Sequence, residues 1–276
     1  MQTGRRMMDL GLEGVHVLIT GASGGIGLET AELFYDQGAI VTAHYNSNFK
    51  PLESFVDSRS QAIKADLTKE EEVEELFKKA ILPFGAIQIL VINHAISVVE
   101  DANLWEMSYD RWKKTIDTNL NSSFLVAREY LKHLKTMSPD LKEEACIILI
   151  GSTAGKYGEA GHADYAASKS AMMYGLTMSL KNEIVKLAPK GRVNCIGPGW
   201  VRTAMATDSL KNPRVKYSAL ATTPLKKIAE PSDIANQIVL LSSNKISGHV
   251  TGQVLMIEGG MEGRLLNTPE EVGIKL

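Results

Sequence analysis

Short apolar segments recur along the chain and alternate with longer amphipathic ones. Valine, isoleucine and leucine run through the short segments almost without interruption, which is typical of strands that are covered on both faces. This character favours a parallel sheet over an antiparallel one with a solvated face. Strands are predicted at Val15–Thr20, Ala39–Tyr45, Gln61–Leu67, Ile87–Asn93, Ala145–Ile150, Arg192–Gly197 and Gln253–Glu258.

The longer segments repeat apolar residues with the spacing of an α-helix. Thr68 precedes Glu71 by three residues, which is the signature of a capping box at a helix start. The alternation of strands and helices predicts the α/β class, with one parallel sheet and helices on both of its faces. The predicted helices cover residues 25–37, 68–81, 110–137, 163–187 and 231–241.

The chain contains no proline- or serine-rich linker, repeat or low-complexity segment, so we predict a single domain. We place it at residues 12–262, between an N-terminal tail (1–11) and a C-terminal tail (263–276). The C-terminal tail is expected either to reach a neighbouring subunit or to fray. The stretch 203–230 has no clear period, and a long insertion of this kind is typical of a substrate-contacting loop or lid.

Composition and charge exclude several classes of protein. The net charge is −2 and aromatic residues make up 6% of the chain, which disfavours a nucleic-acid surface. Cys146 and Cys195 lie in apolar segments, so we expect buried thiols and no metal site. No apolar segment reaches the ~20 residues of a membrane span, and the N-terminus lacks the apolar core of a signal peptide. We therefore expect a cytoplasmic protein with no membrane partner.

A glycine-rich turn follows the first predicted strand and opens the first helix. Glycine permits the tight turn, the approach of a pyrophosphate to the backbone and the packing of the helix on the strand. The helix N-terminus adds unpaired N–H groups and the positive end of the helix dipole. We predict a nucleotide site here, formed by Gly21, Ser23, Gly24, Gly25, Ile26 and Gly27.

A tyrosine and a lysine four residues apart lie near the start of the helix predicted at 163–187. This spacing places Tyr165 and Lys169 on one face of the helix. A cation beside a phenol favours the phenolate, so we expect the pKa of Tyr165 to fall from ~10 toward neutrality. A tyrosine with such a pKa could donate and accept protons at physiological pH.

The same spacing occurs in Tyr109–Lys113. The residues between that pair are aspartate, arginine and tryptophan, which would hold a cofactor away, whereas Tyr165 and Lys169 enclose two alanines and a serine. We therefore expect Tyr109–Lys113 to be a solvated helix start. Ser152 lies thirteen residues before Tyr165 and just past the fifth strand, where ligands bind in open α/β sheets.

The glycine turn, Ser152 and the pair Tyr165 and Lys169 together resemble the short-chain dehydrogenase/reductase family, over about residues 12–260. The resemblance implies a Rossmann-like, doubly wound domain with seven parallel strands in the order 3-2-1-4-5-6-7. It also implies hydride transfer between a nicotinamide cofactor and a ketone or secondary alcohol, with Tyr165 as acid/base and Ser152 on the substrate oxygen. Asn119 matches the fourth catalytic residue of the family and would hold a water on a relay to Lys169.

Further positions match the cofactor contacts of the family. Ile96 departs from the pattern, because a glycine is usual at this position near the nicotinamide. His94 has two interpretations, an extra base or a structural histidine, and we favour the second. The matching cofactor positions are Asp66, Leu67, Asn93, Ala95, Pro198, Gly199, Val201 and Thr203, together with Tyr165 and Lys169.

The end of the second strand favours NADP over NAD. Family members that use NAD carry an aspartate there for the ribose hydroxyls, and this chain has Tyr45. The neutral donors Asn46 and Ser47 follow it, with Lys50 close by, as in NADP-using members. Against this, no arginine or lysine precedes Gly25, where many NADP users have one.

The substrate is weakly encoded, and we expect a small carbonyl compound or alcohol. Reductases that act on 3-oxoacyl groups of an acyl carrier protein resemble the chain, but the acidic stretch 138–144 favours a free ketone, sugar or polyol over an acidic carrier. A nucleotide-binding sensor without turnover is the third hypothesis, which the intact catalytic set opposes. The resemblance also implies a homotetramer or dimer through helices 110–137 and 163–187. The expected substrate contacts are Ile96, Ser152, Ala154, Tyr157, His162, Trp200 and Met205.

Overall fold

The computed structural model describes residues 9–263 and 267–275. Within these ranges, seven parallel strands form one sheet in the order β3-β2-β1-β4-β5-β6-β7, which confirms the expected topology. No strand extends more than one residue beyond its predicted segment, but β3 ends at Lys64, three residues before its predicted end. The strands are β1 His16–Ile19, β2 Ile40–Tyr45, β3 Ser60–Lys64, β4 Ile89–Ile92, β5 Cys146–Ile150, β6 Arg192–Pro198 and β7 Val254–Ile257.

Helices connect the strands and cover both faces of the sheet. In the described ranges the α-helices are α1 Gly25–Asp36, α2 Glu70–Phe84, α3 Tyr109–Ile116, α4 Ser122–Thr136, α5 Thr153–Tyr157, α6 Ala163–Ser170, α7 Thr177–Ile184, α8 Ala204–Leu210, α9 Pro213–Ala221, α10 Pro231–Ser242 and α11 Asn244–Ser247. Short 3-10 turns occupy Lys50–Leu52 and Leu141–Glu144. A π-helical turn joins α3 to α4 (Asp117–Asn121) and another joins α6 to α7 (Ala171–Leu176), so each long predicted helix is continuous but locally widened.

The capping box expected at Thr68 and Glu71 is wrong. The helix α2 begins at Glu70, and its N-cap, Lys69, makes no side-chain cap. Thr68 Oγ1 instead donates to Asp66 Oδ1 at 2.7 Å, so the hydroxyl closes a turn at the end of β3. The three glutamates that open α2 stabilise its N-terminus through the helix dipole in place of a cap.

Two apolar layers, one on each face of the sheet, form the core. Phe77 of α2 and Tyr130 of α4 belong to one layer. Phe34 of α1 and Ile238 of α10 belong to the other. The residues of β1, β4, β5 and β6 are buried throughout, so polar functional groups can reach a ligand only from the ends of these strands.

The two cysteines lie inside this core as free, buried thiols. Residues 9–263 and 267–275 contain no group of three or more His, Cys, Asp and Glu side chains that could hold a metal ion. In the same ranges, no helix is long and apolar enough to cross a membrane.

The stretch 203–230, interpreted from the sequence as a substrate-contacting loop or lid, contains the helices α8 and α9. Its pattern lacks a clear period because the helices are short and bury little: α8 has no buried residue, and α9 buries Ala219, Leu220 and Ala221. A small apolar cluster of Ala219, Leu220 and Ile228 holds the stretch together. This cluster is separate from both main layers, and the stretch is tied to the segments after β6 and β7 by the Ala229 N–H, which donates to the Trp200 carbonyl at 3.0 Å, and the Leu225 N–H, which donates to the Gly259 carbonyl at 3.3 Å.

The C-terminal tail folds back on this insertion. Asn267 is buried, and its Nδ2 donates to the carbonyls of Leu220 at 2.7 Å and Thr223 at 3.0 Å. Val272 and Ile274 pack against the small apolar cluster. Both carbonyls already accept a backbone N–H, from Thr223 and Lys226 respectively, and the Asn267 amide adds a second hydrogen bond to each, which ties the tail to the end of α9. Residues 1–8, 264–266 and 276 of the two predicted tails lie outside the described residues.

Replacing Asn267 by aspartate should loosen the end of α9. The substitution Asn267→Asp keeps the side-chain shape but removes both N–H donors, and a lost buried partner costs about 1–3 kcal/mol. Hydrogen exchange of the α9 amides should accelerate accordingly. The control is Asn182→Asp, an exposed residue whose Nδ2 donates only to its own helix, at the Met178 carbonyl. Equal exchange in the two variants would contradict the assigned contact.

Candidate active site

One cavity of about 1890 Å³ runs along the carboxyl ends of the strands. It joins the glycine turn to Ser152, Tyr165 and Lys169. Three predicted site residues, Gly27, Tyr45 and Asn119, do not line it. The predicted residues that line it are Gly21, Ser23, Gly24, Gly25, Ile26, Asn46, Ser47, Asp66, Leu67, Asn93, Ala95, Ile96, Ser152, Ala154, Tyr157, His162, Tyr165, Lys169, Pro198, Gly199, Trp200, Val201, Thr203 and Met205.

The glycine turn depends on close backbone contacts. Gly21 has φ +64°, and a Cβ there would lie 2.9 Å from the Cα of His94. A Cβ at Gly27 would lie 2.3 Å from the Gly21 carbonyl oxygen, so Gly27 serves the packing of the turn rather than the cavity wall. No side chain caps α1, and its first turn contains no acidic residue. The turn therefore presents open N–H groups and fits the pyrophosphate of a dinucleotide.

Asn93 and His94 fix this turn to the end of β4. Asn93 Nδ2 donates to the carbonyls of Thr20 at 3.1 Å and Gly21 at 3.0 Å. The His94 ring contacts Thr20 Oγ1 at 2.8 Å and Ser122 Oγ at 2.7 Å. Burial holds the pKa of His94 well below its ordinary value, so the ring is neutral. This geometry agrees with a structural histidine rather than an extra base.

The ribose end of the cavity is formed by the residues that follow β2. Asn46, Ser47 and Asn48 line the cavity there, whereas the ring of Tyr45 packs on Phe49 with 5.3 Å between ring centroids. Side chains alternate along a strand, so the residue after Tyr45 and not Tyr45 itself faces the cavity. Asn48 lies in the loop beyond β2, where strand alternation no longer applies, and it lines the cavity beside Asn46 and Ser47.

The side chains of Ser152, Tyr165 and Lys169 come together where β5 ends. Ser152 Oγ accepts from the Ala154 N–H at 3.1 Å and caps α5. Lys169 is 2% exposed, and its Nζ donates to the Ile150 carbonyl at 2.7 Å and lies 5.7 Å from the ring centroid of Tyr165. Burial lowers the pKa of Lys169 to about 8, because a buried ammonium loses its hydration.

The expected fall in the pKa of Tyr165 is wrong for this structure. Burial raises the pKa to about 12, a hydrogen bond with Ser152 opposes the rise, and the charge of Glu159 adds to it. The Lys169 ammonium is directed at the Ile150 carbonyl rather than at the phenol. Tyr165 is therefore a neutral phenol, which suits it to donate a proton.

Asn119 lies beneath the cavity, in the π-helical turn between α3 and α4. Its Oδ1 accepts from the Ile96 N–H at 2.8 Å, and its Nδ2 donates to the Ile96 carbonyl at 2.9 Å and to Ser168 Oγ at 3.2 Å. The Asn119 amide thus clamps the backbone at the position where a glycine is usual. Its role in a water relay stays a prediction.

The substrate end of the cavity carries carboxylates that the sequence did not single out. Asp101 and Glu159 line the cavity, and the His162 Nδ1 lies 3.6 Å from Asp101 and 3.9 Å from Glu159. Tyr157 Oη donates to the Met261 carbonyl at 2.8 Å and so closes the wall toward the C-terminal segment. No motif marks Asp101 or Glu159, because their place depends on how two loops meet.

The second tyrosine–lysine pair is a solvated helix start, as expected. Tyr109 is 74% exposed, and Lys113 forms an ion pair with Asp117 at 2.9 Å on the surface of the same helix. Ser108 caps the helix by accepting from the Arg111 N–H.

Comparison with known proteins identifies the family. Residues 21–262 match a family model described as enoyl-(acyl carrier protein) reductase. The chain belongs to the short-chain dehydrogenase/reductase family of oxidoreductases. It is 33% identical to a 3-oxoacyl-acyl-carrier-protein reductase of Vibrio cholerae over 255 residues, 91% of this chain and 99% of that one. The corresponding reductase of Thermotoga maritima is 33% identical over 256 residues, 91% of this chain and 98% of that one.

A solved member of this short-chain dehydrogenase/reductase family has the same architecture. The crystal structure of a Brucella melitensis protein titled short-chain dehydrogenase/reductase, glucose/ribitol dehydrogenase, superposes with a TM-score of 0.80. It is 32% identical in sequence, and the match covers 92% of this chain and 98% of that chain. A nodulation protein G of Rhizobium is 33% identical over 253 residues, 91% of this chain and 98% of that one.

The raised pKa of Tyr165 can be tested by spectroscopic titration of the protein without cofactor. The absorbance of wild type minus that of Tyr165→Phe isolates this phenol from the other tyrosines. Because burial raises its pKa to about 12, no tyrosinate should appear in the difference below pH ~10, the ordinary tyrosine pKa. A tyrosinate signal that titrates near neutrality would restore the expectation drawn from the sequence.

Proposed function

We propose that the protein transfers hydride between NADP(H) and a ketone or secondary alcohol, with Tyr165 as the acid/base. The observation that carries the proposal is the single cavity that places the glycine turn at one end and Ser152, Tyr165 and Lys169 at the other. A sensor that only binds nucleotide has no need of a buried lysine beside a tyrosine at the substrate end. The intact set therefore favours an enzyme.

The side chains divide the chemistry among them. Ser152 Oγ and Tyr165 Oη hydrogen-bond the carbonyl oxygen of the substrate and orient it. A nicotinamide bound in this cavity would supply the hydride. Tyr165 Oη would give its proton to the substrate oxygen as negative charge develops there. Since burial keeps the phenol neutral at physiological pH, the site is suited to the direction of reduction.

Lys169 can restore the proton that Tyr165 gives up. Its pKa of about 8 lies close to neutrality, so the ammonium releases a proton readily, and it stands one helical turn from Tyr165. The Ile150 carbonyl fixes the direction of the Nζ group. We propose that Lys169 also holds the nicotinamide ribose and that Asn119 links the pair to water.

The ribose end of the cavity supports NADP over NAD. Asn46, Ser47 and Asn48 offer neutral donors and no carboxylate that would repel a 2′-phosphate. Asp66 and Leu67, at the end of β3, line the adjoining wall and are assigned to the adenine. Asp66 Oδ1 accepts from Thr68, and this hydrogen bond lowers the pKa of the Asp66 carboxyl, so it stays ionised as an acceptor for the adenine amino group.

We propose a free, uncharged ketone or alcohol as the substrate. The carboxylates of Asp101 and Glu159 at the substrate end can accept hydrogen bonds from the hydroxyl groups of such a substrate. A 3-oxoacyl thioester on a carrier protein is the second candidate, favoured by the names of the Vibrio and Thermotoga relatives. Relative rates of reduction distinguish the two candidates. Faster reduction of dihydroxyacetone or ethyl acetoacetate than of acetoacetyl-coenzyme A would favour the free ketone, and the reverse order would favour the thioester.

We also propose that the protein works as a cytoplasmic dimer or tetramer. Its two cysteines are free thiols, which fits a reducing compartment. Phe124 of α4 and Tyr174 of the second π-helical turn leave large apolar surfaces exposed on the two long helices. Sedimentation velocity on the wild type measures the assembly, and a monomer at micromolar concentration would exclude it.

Removal of the Tyr165 hydroxyl should abolish most turnover. We expect Tyr165→Phe to lower kcat by about 10²–10⁴-fold, the usual contribution of a general acid, with NADPH affinity within about threefold of wild type. The matched control is Tyr109→Phe, which alters the exposed tyrosine of the other pair and should keep wild-type rates. Full activity of Tyr165→Phe on every carbonyl probe that the wild type reduces would refute the proposed mechanism.

A carboxylate at position 46 should reverse the cofactor preference. In Asn46→Asp the new charge repels the 2′-phosphate, so NADPH should bind about 10–100-fold more weakly, whereas NADH should gain an acceptor for its ribose hydroxyls. Fluorescence titration measures both affinities. Asn182→Asp adds the same charge away from the cavity and should change neither. A wild type that binds NADH more tightly than NADPH would overturn the assignment.

A further inference from the structure

Arg111 lies between Tyr109 and Lys113 in the second tyrosine–lysine pair, yet it contacts α6. This helix carries Tyr165 and Lys169, and we call it the catalytic helix. Its side chain is 12% exposed, and Nε donates to Asp164 Oδ2 at 3.2 Å. The other end of the guanidinium donates to the carbonyls of Glu100 at 2.7 Å and Gly161 at 3.0 Å. A single side chain of α3 thus reaches α6 and two loops.

Asp164 is the residue immediately before Tyr165 and is 1% exposed. Besides Arg111, Thr115 Oγ1 donates to its Oδ2 at 2.7 Å. A buried carboxylate that loses its cation is strongly destabilised, so the pair holds the start of α6 in place. Any shift of Asp164 would move the adjacent Tyr165.

The two loops that Arg111 joins form the rim of the substrate end. Glu100 belongs to the loop after β4, and Gly161 to the loop before α6. The Gly161 carbonyl also accepts from the Ala102 N–H at 3.0 Å, and the His162 Nε2 lies 2.9 Å from the Val98 carbonyl. Val98 and His162, which the second of these contacts joins, both line the cavity.

We propose that Arg111 is a positioning residue that sets the substrate rim and the start of the catalytic helix in one arrangement. The inference rests on the proposed function, because it assigns Arg111 to the site where Tyr165 acts. A planar guanidinium can bond a carboxylate and two carbonyls in different directions at once, whereas an ammonium cannot hold that fork. Arg111 does not touch the reacting atoms and acts through Asp164, Glu100 and Gly161.

The test is the pair Arg111→Met and Arg111→Lys, assayed with NADPH and ethyl acetoacetate. Because the rim and Tyr165 shift together, we expect KM for the ketone to rise and kcat to fall, with a combined loss of about 10–100-fold in kcat/KM. NADPH affinity should stay within about twofold of wild type. The lysine variant keeps a cation beside Asp164, so it should fold as wild type does and still show the loss. The control Arg128→Met removes an arginine that pairs with Glu70 on the surface and should keep wild-type kinetics.

Hydrogen exchange separates this inference from the proposed function. The Ala102 amide, which donates to Gly161, should exchange faster in both Arg111 variants and not in Arg128→Met.

The double variant Arg111→Met with Asp164→Asn should recover thermal stability relative to Arg111→Met, because it no longer buries an unpaired charge. Unchanged kcat/KM in Arg111→Lys with unchanged exchange overturns the inference, and so does faster exchange without a kinetic effect. A wild type that reduces no carbonyl probe refutes the proposed function, and the exchange result alone then decides whether Arg111 holds the rim.

Discussion

The hydrogen bond from Lys169 to the Ile150 carbonyl is the contact on which the site depends. It ties the helix α6 to the end of the strand β5, and it gives a hydrogen-bond partner to an ammonium that is almost completely removed from water. Gly155 lets the neighbouring helix α5 pack closely on the same segment, because a Cβ there would lie 2.8 Å from the backbone of Lys169. The buried lysine thus lies where α5, α6 and the end of β5 meet.

Burial at this point sets the electrostatics of the pair. Desolvation favours the uncharged form of both side chains, so the pKa of Tyr165 rises and that of Lys169 falls. The two pKa shifts leave a neutral phenol beside an amine that exchanges protons near physiological pH. The chemistry proposed here therefore depends as much on the absence of water as on the proximity of the cation to the phenol.

Polar side chains on the helices connect this site to the segments around it. The π-helical turn at Asn119 places an amide against the Ile96 backbone, and Arg111 connects α3 to Asp164 at the start of α6. Both residues lie on the long helical segment that continues from α3 into α4. One helical segment thus contacts both the backbone below the substrate end and its rim, so the proposed function depends on where this segment lies in the fold.

The sequence by itself determined the strands, the glycine turn and the Tyr165–Lys169 pair, because apolar runs, glycine turns and helical spacing are local signals. The strand order and most of the cavity wall were predicted from the family resemblance. The sequence could not place the residues whose role depends on packing between distant segments. Tyr45 was assigned to the cofactor, but strand alternation turns Asn46 toward the cavity and sends the Tyr45 ring to Phe49. The pKa of Tyr165, the roles of Arg111 and Asn267, and the helices in 203–230 were decided only by tertiary structure. Desolvation and hydrogen bonds between loops and helices arise only once the chain is folded.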